Sequence, residues 1–140
     1  MMKRVLTLEA AKSVAAAAEA FADSHGFKVV IAIVDDGGHL LYLQRDHDVQ
    51  FGSVQTAIGK AYSAVAFKRP TVEWEKRFKE GRYGYLTMPA LTGLQGGVPL
   101  KIGEEIVGGI GVSGVASQDD ERIAKAGADL LLTLSEGGKA

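Results

Sequence analysis

Between Asp48 and Lys68 the chain carries a single formally charged side chain, Lys60, set among small and apolar residues (TAIGKAYSAVA). An ammonium in such surroundings either runs its stem out to water or binds the carboxylate of a ligand. Arg45, at the end of an expected strand, is its candidate companion, because a guanidinium fork clamps a carboxylate bidentately. The alternative for Arg45 is a solvated ion pair with Asp46 or Asp48. His39 and His47 are candidate general bases or axial iron ligands, imidazole being suited to both near neutral pH. His25 shares that chemistry, but at a helix end its charged form also suits the dipole. Asp46-His47-Asp48 has the composition of a metal chelate. Adjacent side chains on an extended chain point opposite ways, so no metal site is expected there.

A further group lies downstream. Residues 81–99 (GRYGYLTMPALTGLQGGVP) are rich in glycine and aromatics, with Arg82 their one charge. Tyr83, Tyr85 and Met88 there are candidates to flank a flat ligand, with Gly96, Gly97 and Val98 as a wall rich in backbone donors. Filling a gap in the fold or burying a subunit contact is the alternative. Ser113 is a candidate ligand contact, although no histidine and acid can be placed beside it as a catalytic triad. Asp119 and Glu121 open a helix and suit its N-terminal dipole.

The stretch GGIGVSG, residues 108 to 114, has the glycine spacing of a dinucleotide-binding loop. That loop needs its glycines between a strand and a helix, then a second parallel strand bearing an acid. Here the glycines fall inside a strand and one helix follows, so the fingerprint is rejected. The glycines instead let a backbone or a flat ligand approach the sheet closely.

These side chains need elements to hold them. Thr7 to His25 has the helical period, with Leu8, Ala11, Ala15, Ala18 and Ala22 on one face and Thr7 as cap. KVVIAIVD, residues 28 to 35, is apolar on both faces and β-branched, so it is an interior strand. Asp36-Gly37-Gly38 turns the chain into a second arm, residues 39 to 45, making an antiparallel hairpin. Helices are expected over about 50–67 and 72–80, strands at 100–102 and 106–115, and a terminal helix from Ser117 that buries Ile123, Ala126, Leu130 and Leu134. The order α-β-β-α-α-β-β-α defines an α+β domain, one antiparallel sheet of about five strands with helices packed on it.

At 140 residues this is one domain, able to bury a core unaided. Sixteen basic against 17 acidic side chains leave no field to attract nucleic acid or an anionic membrane. Charges at Glu9, Lys12 and Glu19 break the resemblance of the N-terminus to a secretory signal. No apolar run reaches the ~20 residues of a membrane span, so a soluble, cytoplasmic protein is expected. Without cysteine, thiol chemistry and disulfides are excluded.

VDDGGHLLYLQRD at 34 to 46, Lys60-Ala61 in a small-residue helix, GGVPL at 96 to 100, and GGIGVSG followed by Asp119 occur in one order over nearly the whole chain. In this the sequence resembles the GlcG/HbpS-like family, which includes the C-terminal domain of PduO-type corrinoid adenosyltransferases. The resemblance implies a profilin-like layout, with helices on both faces of the sheet. It also implies homo-oligomers, from dimers up to octamers, and haem or tetrapyrrole binding in some members, with haem breakdown or iron handling proposed for them. Three functions are therefore carried forward. The first is a haem or tetrapyrrole binder with Lys60 and Arg45 on the propionates. The second is an enzyme acting on a small carboxylate, a keto, enol or imino acid of a catabolic pathway, by tautomerisation or hydrolysis, and the third is an accessory oligomer without a ligand.

Overall fold

The structure, a computed structural model, describes residues 2–137. Helix α1, Leu8–Ser24, starts where the Thr7 hydroxyl accepts the Ala10 amide at 3.0 Å and stops at His25, beyond which Gly26 turns with φ +71°. Its buried stripe is Ala11, Val14, Ala15, Ala18 and Ala22. Leu8, expected on that stripe, is 45% exposed, because the first turn overhangs the core.

Strand β1, Val30–Asp35, pairs antiparallel with β2, Leu40–Arg45, through the expected hairpin. Helix α2 follows at Gly52–Ala66 and α3 at Val72–Lys79. Strands β3, Gly97–Ile102, and β4, Glu105–Ser113, form a second hairpin, and α4, Ser117–Gly137, ends the described chain. The strands lie in the order β2-β1-β4-β3, all antiparallel. Four strands stand where about five were expected. Among the described residues, the segment between α3 and β3 contributes a 3-10 turn, Tyr83–Thr87, and no strand.

Alternation along the strands sorts the core onto two faces. Ile31, Ile33, Leu100, Ile110 and Val112 face α1 and α4, while Val30, Ala32 and Val34 face α2. β1 is thus buried on both sides, as its unbroken apolar run requires. On α4 the buried face is Asp120, Ile123, Ala124, Gly127, Ala128 and Leu131. It is rotated from the expected one, leaving Leu134 46% exposed.

Gly109 and Gly111 of β4 are covered by a helix. A Cβ at Gly111 would strike the Ala57 carbonyl and the Ala61 amide, and one at Gly109 the Ala61 carbonyl, so α2 lies directly on the strand. Close packing is their role, and a flat ligand has no access to them.

Candidate functional site

The Lys60 ammonium turns inward. It donates to the Val112 carbonyl at 2.8 Å and to Asp120 Oδ2 at 3.1 Å, with side-chain exposures of 2% and 3% for the pair. The lysine does not snorkel to water, and the carboxylate it holds belongs to its own chain. Burial pushes the Asp120 carboxyl above the ordinary carboxylate range, offset in part by the Lys60 charge and by a hydrogen bond from the Val115 amide. Gly96 closes this pocket at φ +133°, where a Cβ would sit 2.8 Å from Lys60 Nζ. Gly97 continues the wall by donating its amide to Thr71 Oγ1 at 2.9 Å. Thr71 in turn donates to the Leu94 carbonyl, Ser63 on α2 accepts the Thr92 amide, and Gln95 joins Glu75 on α3 to Glu121 on α4, so the loop before β3 is fastened by side chains on three helices.

The other expected residues are dispersed. Arg45 neither pairs with Asp46 or Asp48 nor joins Lys60. Its Nη1 donates to the Val49 carbonyl at 2.7 Å and the His47 carbonyl at 3.4 Å, holding the turn after β2. Tyr85 packs edge-on against Trp74 at 5.1 Å and accepts a hydrogen bond from Arg82, whereas Tyr83 is 63% exposed. Arg69 and Arg77 lie over the Trp74 ring, each about 5 Å from its centroid. Ser113 is buried at the end of β4, opposite Val30. At the α4 start Asp119 pairs with Arg122 at 2.9 Å, and Glu121 accepts from Gln95.

The histidines stand apart as well. His39 is 83% exposed beside Asp35, and His25 stacks on Phe21 and Phe27. The side chains of Asp46, His47 and Asp48 do converge, with ligand atoms within 4.8 Å of one another. The segment is a turn and not an extended strand, so the alternation argument fails there. Lys28 already binds Asp48 at 2.7 Å and, with the charge of His47, holds that carboxyl below its usual range.

Val98, an expected ligand contact, reaches an apolar cleft. With Pro99 on β3 it forms one wall of a groove of about 220 Å3 completed by Pro70, by Ala128 and Leu132 of α4, and by a rim of Lys68, Lys101, Lys125 and Asp129. Lys125 leans toward Glu121 at 3.8 Å, while Lys68 and Lys101 make no ion pair among the described residues. The groove therefore has an apolar floor under a net positive rim. Lys68 holds φ +57°, a left-handed backbone that disfavours side chains. It is the residue just past the α2 C-cap, where the Lys68 amide donates to the Val65 carbonyl and the Arg69 amide to the Ala64 carbonyl, so this conformation belongs to the helix end. A second cleft by the β1–β2 turn shares Lys68 with the groove and is lined by Asp36, Gly37, Gly38, Tyr62, Val65 and Ala66.

An antiparallel four-stranded sheet with α2 on one face and α1 and α4 on the other defines an α+β class of domain, here with a cationic groove at the β3 edge. The chain belongs to the HbpS-like family, described as "Haem degrading protein HbpS-like", whose model matches residues 6–129. It is similar to Protein GlcG of Escherichia coli strain K12, at 37% identity over 111 residues covering 79% of this chain and 83% of GlcG. It also resembles the crystal structure of HbpS, with TM-score 0.84 and 36% identity over 94% of this chain and 93% of that one. A PduOC:haem complex superposes with TM-score 0.80 at 27% identity, covering 90% of this chain and 94% of that one. Among the described residues no helix is long and apolar enough to cross a membrane.

The groove lining fits part of a haem and not all of it. Its apolar floor suits a flat ring and its ammonium groups suit propionates. Among the described residues it presents no imidazole, thioether, thiol or phenol to iron.

Proposed function

We propose that this protein binds haem or a related tetrapyrrole in the groove between β3 and α4. The observation that carries the proposal is the lining itself, apolar side chains from two elements beneath three lysines. Family membership and the likeness to a haem-bound domain support the ligand class. A cleft of about 220 Å3 is smaller than the ~300–1,000 Å3 that engulfs a drug-sized ligand. One edge of the ring lies in the groove and the rest outside it.

Titration with haemin, followed in the Soret region, tests this. The wild type should saturate with a shifted band, Lys101→Glu/Lys125→Glu should bind more weakly, and the distant Lys12→Glu should match the wild type. A flat titration, or equal binding by all three, would remove the proposal. The same lysines would hold a small organic acid, and a thermal shift with such acids but not with haemin would favour a small carboxylate as the ligand instead.

A homo-oligomer is also proposed, on the support of two open sheet edges and of Phe51 and Leu86, which are 84% and 67% exposed. Light scattering checks it.

A further inference from the structure

We infer that the groove selects its tetrapyrrole by apolar face and carboxylate edge and not by its metal, so a metal-free porphyrin bearing carboxylates binds about as well as haemin. The inference rests on the site proposed above. Haem sites that recognise iron do so through a side-chain lone pair, most often imidazole, thiolate, thioether or phenolate. The groove supplies lysines, which as ammonium groups are donors without an acceptor, and one carboxylate, Asp129. A carboxylate at that rim repels propionates more readily than it adds an iron bond.

Among the described residues, those that do carry iron-binding atoms lie away from the groove lining. His25 is stacked against Phe21, with ring centroids 4.4 Å apart, and hydrogen-bonds the Phe21 carbonyl through Nδ1. His39 sits on the β1–β2 turn and His47 in the turn after β2, and neither lines the groove. Tyr62 is the one phenol in the adjoining cleft, where its ring packs on Gly38 so closely that a Cβ there would lie 2.8 Å from it. What remains to hold a ring at the groove is buried apolar area and ammonium–carboxylate attraction. Both are indifferent to the metal.

The test is a side-by-side fluorescence and absorbance titration of the full chain with haemin and with metal-free protoporphyrin IX. The two dissociation constants should agree within about threefold. Lys101→Glu/Lys125→Glu should weaken both by on the order of tenfold, the combined worth of two exposed ion pairs. Bound haemin should keep a spectrum without a strong nitrogen axial ligand, unchanged in Tyr62→Phe, His39→Ala and His47→Ala. Haemin binding tenfold or more tighter than the metal-free ring, or loss of haemin binding in one of those three variants, would overturn the inference and leave haem binding standing. Failure of both porphyrins to bind would overturn the site and the inference together.

Discussion

Lys60 on α2 and Asp120 on α4 meet at 3.1 Å inside the protein, each almost wholly removed from water. The contact ties together helices on opposite faces of the sheet, at the end of β4 where the Val112 carbonyl takes a second ammonium hydrogen. Removing one member leaves the other charge buried and unpaired. Lys60→Met or Asp120→Asn should each cost about 3–5 kcal/mol in urea unfolding. Lys60→Met/Asp120→Asn should cost clearly less than their sum, because neither charge is then stranded. Additive costs would show that the two do not interact.

Gly111 and Gly52 make an opposed pair. A Cβ at Gly111 meets α2 backbone, whereas at Gly52, in the first turn of α2, nothing lies within 4 Å. Gly111→Ala should lose at least ~1–3 kcal/mol through overpacking. Gly52→Ala should be neutral or gain up to ~1 kcal/mol from helix propensity. Thermal unfolding of the two variants measures both, and a harmless Gly111→Ala would deny the close approach.

Asp35 accepts the His39 amide at 2.9 Å and the Gly37 amide at 3.0 Å, and the His39 bond is the main reason its carboxyl lies below the usual range. A depressed folded value means that Asp35 stabilises fully above the unfolded value near 3.9. The contribution is lost as pH falls through the still lower folded value. The stability difference between wild type and Asp35→Asn should therefore be constant above about pH 5 and shrink toward pH 2. A difference that grows on acidification would contradict the assignment.

Lys68 combines a strained backbone with a place on the groove rim. Lys68→Gly should raise stability by ~1 kcal/mol, since glycine adopts the left-handed region freely, while weakening porphyrin binding. Chemical unfolding paired with a haemin titration reads both. Loss of stability would remove the strain, and unchanged affinity would remove Lys68 from the site.

The fold was legible because β1 is apolar without interruption and α1 and α2 carry small residues at helical spacing, signals that depend on neighbours in the chain. The α4 pattern points to a rotated face for a physical reason. Three of its buried residues are small (Ala124, Gly127, Ala128), so the leucines at 130 and 134 dominate the pattern although Leu134 lies toward the outside. Asp119 and Glu121 draw the eye in the sequence, yet Asp120 precedes Ile123 and Ala124 by three and four positions, the spacing of one helical face. The groove could not be read at all. Lys68, Lys101 and Lys125 come from a turn, a strand and a helix, and only the fold brings them to one rim. Lys60 was singled out correctly as unusual, but a buried partner on the same chain and an external carboxylate leave the same mark in a sequence.

The most direct test of the groove is residue-resolved NMR of the 15N-labelled chain titrated with gallium protoporphyrin IX, a diamagnetic stand-in for haemin. The largest amide shifts should fall on Lys68, Val98, Lys101, Lys125, Ala128 and Leu132. Shifts centred instead on the Asp46–Asp48 turn or on Tyr83–Thr87, with the β3–α4 groove unmoved, would contradict the account.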